Sequence, residues 1–306
     1  MPSIKLQKPE ELSAAERRSY STILNVKAVA HVLQGRNPLG IQDSDLFLLG
    51  AFEGEELCGC AVFSTQAVIY CADLHYFVVT DPWRGKGIAG QLLDELKGIL
   101  QKTNIHVCWA KYTLEDPLRN VIEHLLQKRD WSSPYQEFIR FIFDGPLFDP
   151  PWLQKKFSLP QGCELFRWNE LTNSEREALK KQETELTFHS NVSPFSTRYA
   201  IEPSNSLGIR SKSGVIGWLI THRPNKETIR YSAIYVSSEM RFTSCALALL
   251  TESIRIQKNL PIRWAIFDVN MHQVSANWRR FVLQKLQPYA QTIETHVVCT
   301  LKVKNI

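Results

Sequence analysis

The stretch LHYFVVTDPWRGKGIAGQLLDELKGIL, residues 74–100, decides the fold of this chain. Its first residues are aromatic and β-branched, which favours a strand, and Asp81-Pro82 ends that strand in a turn. Three glycines follow within six residues, and apolar side chains at positions 92, 93, 96, 99 and 100 predict an amphipathic helix. Each glycine loses much conformational freedom on folding, so three of them at a helix start indicate that side chains are excluded there.

Three interpretations of this glycine turn compete. A plain connection between strand and helix explains one glycine but not three. The string from Gly85 to Gly90 also fits the G-x-G-x-x-G dinucleotide fingerprint. However, several predicted strands precede it, and the next strand ends in Lys111 and Thr113 without the acidic residue that would hold a ribose. A Walker A loop is excluded, since no Gly-Lys-Ser/Thr is present.

The third interpretation is an anion cradle. Backbone N–H groups at a helix N-terminus point the same way, and the helix dipole adds partial positive charge. Positions without side chains let a bulky pyrophosphate approach those amides. Arg84 and Lys86 add full positive charges at the rim of the turn.

The segment ADLHYFVVTDPWRGKGIAGQLLDELK resembles the core motif of the GNAT superfamily of acyl-CoA-dependent N-acyltransferases, whose signature [Q/R]-x-x-G-x-[G/A] fits residues 84–89. The resemblance implies that this strand and the next one splay apart, leaving a notch where acyl donor and amine meet. It also implies three groups of coenzyme A contacts. The first is the pyrophosphate cradle of Arg84, Gly85, Lys86, Gly87, Ile88, Ala89 and Gly90. The second is the strand end of Phe77, Val78 and Val79, which pairs with the pantetheine arm. The third is Asn120, near the pantetheine.

Acyl transfer needs a neutral amine, a stabilised oxyanion and a proton for the leaving thiolate. By the resemblance, Asp73 matches a general-base glutamate of the family, and the Val79 amide matches an oxyanion donor. His75 follows on the same face of a regular strand. A solvated strand-end carboxylate and a partly buried structural histidine are the plainer interpretations of Asp73 and His75.

The sequence departs from the family where a tyrosine usually protonates the thiolate. That position falls on Leu126, and Asp130-Trp131 stands where a glycine-aromatic pair is usual. Tyr112 and His124 are the possible substitutes.

Bulk composition excludes several classes. The chain has 306 residues, a net charge of +5 and no apolar run near the roughly 20 residues that span a bilayer. The charged N-terminus lacks the apolar core of a signal peptide, and seven cysteines favour reduced thiols in a cytoplasmic protein. Cys58 and Cys60 are expected on one face of a strand, and no metal site is expected. Dispersed basic residues give no sign of nucleic-acid binding.

The order of predicted strands and helices repeats along the chain. We predict an α+β fold of two tandem GNAT-like domains, each a mixed, mostly antiparallel sheet flanked by helices. Residues 1–147 form the acyl-CoA-binding catalytic domain, 148–160 a proline-rich linker, and 161–306 a degenerate GNAT-like domain.

The degenerate cradle is expected in the second half, with Arg241, Ser244 and Ala246 aligned on Arg84, Gly87 and Ala89. There Phe242 replaces Gly85, and Arg230 replaces Asp73. The second half either shapes the acceptor pocket or binds part of the donor or a peptide acceptor.

The expected function is transfer of an acetyl or longer acyl group, fatty acyl groups included, from coenzyme A to a primary amine. The acceptor is a small molecule or a peptide side chain, and transfer is direct within a ternary complex. The co-substrate is therefore acetyl-CoA or a longer acyl-CoA. The alternative is a non-catalytic acyl-CoA-binding or regulatory protein.

Overall fold

A computed structural model describes residues 2–24, 33, 45–185, 188, 190–195, 200–240 and 243–303. The chain divides into two compact units. Unit 1 comprises residues 1–137 and 295–306, and unit 2 comprises residues 138–294. The final strand of the chain therefore contributes mainly to the unit that contains the N-terminus.

Unit 1 is a mixed sheet with helices on its two faces. Its strands run in the order β1-β2-β3-β4-β5-β12, with β4 and β5 parallel and the other neighbours antiparallel. The elements are β1 (Ser3–Gln7), α1 (Ala14–Ile23), β2 (Asp45–Glu53), β3 (Glu56–Gln66), β4 (Cys71–Val79), α2 (Ile88–Gln101), β5 (Val107–Thr113), α3 (Arg119–Gln127) and β12 (Thr292–Lys302).

Local sequence signals account for the boundaries of these elements. Ser13 caps α1 and forms a reciprocal capping box with Glu16. Gly54, at φ 62°, supplies the left-handed position in the two-residue turn that joins β2 to β3. The sequence of residues 13–33 predicts a longer helix than α1, and residues 25–32 of that prediction lie outside the described residues.

Two apolar clusters lie on opposite faces of the unit 1 sheet. Five buried residues of α2, among them Ile88 and Leu96, pack on one face, and Tyr20 of α1 packs on the other. The expectation that Cys58 and Cys60 share a face was wrong, because Cys58 packs in the cluster of α2 and Cys60 in the cluster of α1. A β-bulge between β2 and β3 at this point shifts the alternation by one residue.

Unit 2 has the same architecture. Its strands run in the order β6-β11-β10-β9-β8-β7, with β10 and β11 parallel. The elements are β6 (Tyr135–Asp144), β7 (Glu164–Arg167), α4 (Asn173–Thr184), β8 (Leu207–Ser211), β9 (Gly214–Asn225), β10 (Thr228–Val236), α5 (Cys245–Lys258), β11 (Trp264–Val269) and α6 (Ala276–Phe281). The predicted fold class, α+β with two mixed, mostly antiparallel sheets flanked by helices, is therefore confirmed.

The compact units follow different boundaries from those predicted at residues 147 and 160. Most of β6 belongs to unit 2, since it pairs with β11, and most of β12 belongs to unit 1, since it pairs with β5. The segment predicted as a linker packs into unit 2, where Trp152 and Leu153 are buried in the core. The division into domains 1–147 and 161–306 with a linker at 148–160 stays a prediction.

One helix is shorter than its sequence pattern suggested. The apolar spacing of residues 273–286 predicts a single helix, whereas α6 ends at Phe281 and a π-helical turn, Val282–Leu286, follows it. Pro288 lies two residues after Leu286, in a 3-10 turn, Gln287–Tyr289, and has no N–H with which to continue a regular helix.

Candidate active site

Strands β4 and β5 of unit 1 pair only over their first halves. The parallel register runs from Cys71 opposite Val107 to Leu74 opposite Ala110 and ends there. Both strands continue, β4 to Val79 and β5 to Thr113. The predicted pantetheine-binding residues 77–79 therefore lie on a strand edge that has separated from β5, with backbone groups directed into the gap.

A β-bulge at His75 sets which side chains face which side of this gap. In the β3–β4 pairing, Phe63 lies opposite Leu74 and Val62 lies opposite Tyr76, so His75 is the extra residue. Leu74 and Phe77 consequently both pack with the cluster of α2, and Asp73 and His75 are directed to the other face.

Asp73 and His75 make adjacent polar contacts on that face. Gln66 Nε2 donates to Asp73 Oδ2 at 3.2 Å, and Asp73 is only 3% exposed. The ring nitrogen Nε2 of His75 lies 2.8 Å from Ser64 Oγ. Burial, aided by the positive charge of Lys111, lowers the pKa of His75 to about 4, so the imidazole is neutral at pH 7.

Lys111 adds a cation to the same neighbourhood. It follows the last paired residue of β5, one position before Tyr112, and its Nζ lies 3.1 Å from Glu137 Oε1. The ammonium also lies 5.9 Å from the centre of the Trp109 ring. About a third of each side chain of this ion pair is exposed, so solvent and solutes reach it.

The glycine turn leads directly into α2. Gly85 has φ 77° and Gly87, the N-cap residue of α2, has φ 81°, a region that favours glycine. A Cβ built on either residue would meet nothing within 4 Å. The first bond of the helix runs from the Gln91 N–H to the Gly87 carbonyl at 3.1 Å. Helix geometry therefore leaves the N–H groups of residues 88–90 available to an anion in open space.

Basic side chains are held at the rim of this turn. Arg84 Nη1 pairs with Asp81 Oδ1 at 2.7 Å, and Arg84 Nε donates to the Val79 carbonyl at 3.2 Å. Lys86 Nζ lies 4.2 Å from the centre of the Trp83 ring. Both cations are thus anchored beside the end of β4, where the gap between the strands opens.

The absence of a side chain at Gly90 has a different structural reason from its absence at Gly85 and Gly87. Arg129 passes over it, donating from Nε to the Gly90 carbonyl at 3.1 Å and pairing with Asp94 at 2.8 Å. A Cβ on Gly90 would lie 2.9 Å from Arg129 Cζ. The third glycine therefore lets α2 and the C-terminal end of α3 pack closely.

The remaining predicted residues are placed on β5 and α3. Tyr112 packs with the cluster of α2, on the face away from His75, and its hydroxyl lies 3.5 Å from Cys299 Sγ. Burial raises the pKa of Tyr112 well above its ordinary value, so it stays protonated. Asn120 and His124 are exposed on α3.

The end of α3 explains why an aspartate replaces the usual glycine. Asp130 has φ 61°, the left-handed conformation of a helix C-terminus, and the Trp131 N–H donates to the Leu126 carbonyl at 3.3 Å. Lys97 Nζ lies 2.8 Å from Asp130 Oδ2. Leu126 itself is buried in the cluster of α2.

The corresponding region of unit 2 is built differently. Strands β10 and β11 also separate after four pairs, at Tyr231 opposite Phe267. At the start of α5, the Ser244 hydroxyl donates to the Ser158 carbonyl, so protein atoms lie against the position aligned with Gly87. The predicted positions Arg241 and Phe242 lie outside the described residues.

A family model matches part of unit 1. Residues 11–124 match the model of the acetyltransferase (GNAT) family. This part of the chain is therefore similar to that family. No curated protein matches the chain.

Solved structures show that the GNAT fold extends over both units. A tandem GNAT protein from the clavulanic acid biosynthesis pathway, without AcCoA, matches with a TM-score of 0.64 at 11% identity, over 99% of this chain and 100% of the other. A GCN5-related N-acetyltransferase from Sphaerobacter thermophilus matches with a TM-score of 0.61 at 13% identity, over 99% and 96% of the two chains. At such identities the likeness establishes the tandem GNAT fold and leaves the substrate open.

Among the residues that the structure describes, no three His, Cys, Asp or Glu side chains are grouped as a metal would require. No helix there combines the length and apolar composition of a membrane span.

Sequence reasoning missed Ser64, Gln66, Lys111 and Glu137. Ser64 and Gln66 alternate on a predicted strand, which was the available signal for two polar side chains on one face. The partners themselves come from other strands, and no local pattern identifies them.

Proposed function

We propose that this protein is an acyl-CoA-dependent N-acyltransferase in which unit 1 binds the acyl-CoA and transfers the acyl group to a primary amine within a ternary complex. The acceptor is a small molecule or a peptide side chain, and the donor is acetyl-CoA or a longer acyl-CoA. The family match supports acyltransferase chemistry in general.

One observation carries the proposal. The parallel pairing of β4 and β5 stops at Leu74 and Ala110, and the same unit presents a glycine turn with open space at Gly85 and Gly87. A thioester-bearing arm can add backbone hydrogen bonds to the free edge of β4, while its pyrophosphate occupies the N-terminus of α2. The gap then directs the thioester toward the face that holds Asp73 and His75.

The side chains on that face suit a neutral nucleophile. If Nε2–H of His75 donates to Ser64, Nδ1 carries the lone pair that accepts a hydrogen bond from the amine. Among the described residues, Nδ1 makes no hydrogen bond. Asp73 supplies a negative charge nearby for the proton that the amine loses. The amine nitrogen forms a bond to the carbonyl carbon, the carbon–sulfur bond breaks, and the thiolate takes a proton from water or from Tyr112.

The rival function is acyl-CoA binding without catalysis. It is favoured by Leu126, which is buried in the apolar cluster where the family usually has a proton-donating tyrosine. Tyr112 lies on the splayed part of β5, so its hydroxyl is still available to donate a hydrogen bond to the leaving thiolate.

Free thiol release distinguishes the two functions. The protein would be incubated with acetyl-, octanoyl- and palmitoyl-CoA and a panel of primary amines, while calorimetry measures binding of each acyl-CoA. We expect amine-dependent thiol release with at least one donor. Arg84→Ala should weaken acyl-CoA binding about tenfold, as expected for loss of a charge-assisted hydrogen bond. Arg18→Ala, at an exposed arginine of α1, is the control. Binding without any amine-dependent thiol release would establish the rival function.

A further inference from the structure

The turn that joins β3 to β4 carries large apolar side chains in solvent. Residues 67–70 are Ala-Val-Ile-Tyr, at a place where connections between strands usually have Gly, Asn, Asp or Ser. Val68 is 83% exposed, Ile69 56% and Tyr70 47%. A polar turn would reverse the chain equally well, so these side chains indicate a surface that another molecule covers.

The turn is held in one conformation. Tyr70 has φ 52°, a left-handed conformation that is uncommon for an aromatic residue. Its N–H donates to the Ala67 carbonyl at 3.4 Å, and its carbonyl accepts from the His106 N–H at 2.8 Å. The rings of Tyr70 and His106 stack with their centres 5.1 Å apart. The apolar side chains are thus presented by a preorganised turn, which lowers the entropy cost of binding.

An apolar cleft lies beside the turn. Its volume is about 220 Å³, and it is lined by Ala67, by Phe47 of β2 and by the C-terminal end of α2. Leu6 of the edge strand β1 also lines it and is 44% exposed. A cavity of roughly 150 Å³ accommodates benzene, so this cleft has room for an apolar side chain. We call Leu6, Phe47 and residues 67–70 the turn surface.

The acidic side of the turn surface is formed where β1 ends. Because β1 pairs antiparallel with β2, its C-terminal end lies beside the start of β2. Glu10 and Glu11 follow in a 3-10 turn and are exposed. Lys8 pairs with Asp45 at 3.4 Å, so these two charges cancel. The negative charges of the two glutamates are left in excess on this side.

The basic side is formed beyond β4. The strand order β1-β2-β3-β4-β5-β12 places the turn between β1 and the last two strands, and Lys302 ends β12 opposite Val107, where β5 begins. Lys102, after α2, begins the connection to β5. Both lysines are exposed, and neither forms an ion pair within the part of the chain that the structure describes. The surface therefore changes from acidic through apolar to basic.

We propose that the turn surface binds a second copy of this chain across a two-fold axis. A two-fold interface places each surface against itself, so a protrusion and a cleft that adjoin each meet their counterpart on the other copy. With the axis near the turn, Val68 and Ile69 of each copy enter the cleft of the other. The acidic side of one copy then lies against the basic side of the other.

The interface leaves the proposed acyl-CoA site open. The turn precedes Cys71 at the start of β4, whereas the gap between β4 and β5 opens after Leu74 and extends toward Val79. The exposed apolar side chains supply on the order of a few hundred Å² per copy. Stable interfaces bury about 800 Å² per partner, so we expect a weak dimer with a dissociation constant in the micromolar range. The proposal does not depend on the acyltransferase function.

Sedimentation velocity over a wide range of protein concentration tests the proposal. Val68→Asp should raise the dissociation constant of the dimer about tenfold or more, because it places a charge in the partner's apolar cleft. Leu147→Asp is the matched control, at an apolar residue of unit 2 that is 73% exposed, and should leave the dimer unchanged. Both variants should unfold at the wild-type midpoint, since each side chain lies mostly in solvent.

Charge reversal tests whether the partner is a second copy. Glu10→Lys with Glu11→Lys makes both sides of the turn surface basic, and Lys102→Glu with Lys302→Glu makes both sides acidic. Each double variant alone should dimerise more weakly than the wild type, because like charges then oppose each other. A mixture of the two double variants, with one of them fluorescently labelled, should form a heterodimer.

Three results would overturn the proposal. These are a chain that stays monomeric at every concentration, a dimer that Val68→Asp leaves intact, and a mixture of the double variants that is no more dimeric than its components. Vesicles of phosphatidylcholine and phosphatidylserine supply the remaining comparison. A monomeric chain that sediments with these vesicles, and loses this binding in Val68→Asp, would assign the turn surface to a lipid surface instead.

Discussion

Replacing Gly87 with alanine separates the cost of an unusual backbone conformation from the loss of anion binding. Gly87 has φ 81°, and an added Cβ would enter open space at the N-terminus of α2. Gly162, in a turn of unit 2, has φ 80° and is equally open, so Gly162→Ala is a matched control.

The two substitutions should cost similar stability. An alanine forced into this left-handed region costs about 1–2 kcal/mol in either turn. Midpoints of thermal unfolding should therefore fall by similar amounts, on the order of a few degrees for each variant.

Acyl-CoA affinity should separate them. The methyl group at position 87 displaces the pyrophosphate from the amides of α2, and loss of one hydrogen bond to a charged group costs roughly 1.5–3 kcal/mol. Calorimetry should show about a ten- to hundredfold rise in Kd for Gly87→Ala and none for Gly162→Ala. If the two variants bind acyl-CoA equally well, the glycine turn is not the pyrophosphate cradle.

Two further predictions concern unit 1. Burial lowers the pKa of His75 to about 4 in the folded protein, from an ordinary 6.5 in the unfolded chain. Between pH 6.5 and 4 the unfolded chain therefore binds a proton at His75 that the folded protein does not, so the free energy of unfolding falls as the pH drops through this range. The contribution lost between pH 7 and 5 is about 2 kcal/mol, and His75→Gln should flatten that part of the pH dependence of denaturant unfolding. An unchanged slope in His75→Gln would show that His75 is not the titrating group. On α2, Gly90→Ala should destabilise unit 1 by about 1–2 kcal/mol by displacing Arg129, whereas Gly98→Ala, where the added Cβ meets nothing, should stabilise it by about 0.5–1 kcal/mol. Denaturant midpoints measure both, and a loss of stability in both variants would contradict the role given to Arg129.

Local sequence patterns predicted the elements well. The capping residue Ser13, the turn at Gly54 and the apolar stripe of α2 act within a few residues, so each is readable from its own neighbourhood. The turn at residues 84–90 was readable for the same reason, although only the structure gives Gly90 a packing role with Arg129, 39 residues away.

The polar face of the site was readable only in part. Asp73 and His75 are close in sequence, but a β-bulge at His75 decides how the strand continues toward Phe77. Ser64 reaches His75 across a strand pair, and Lys111 reaches Glu137 over 26 positions. Such contacts depend on which strands become neighbours, which a single sequence pattern does not specify.

The sequence by itself determined two tandem α+β halves and one open glycine turn, because periodicity, capping and backbone freedom are local properties. Tertiary structure alone decided that β12 joins the sheet of unit 1 and most of β6 that of unit 2. It also decided that Arg230 pairs with Asp268 in unit 2 and that Lys111 pairs with Glu137 in unit 1. The physical reason is that strand pairing and ion pairing join residues far apart in the chain, and the free energy of those contacts depends on the whole sheet.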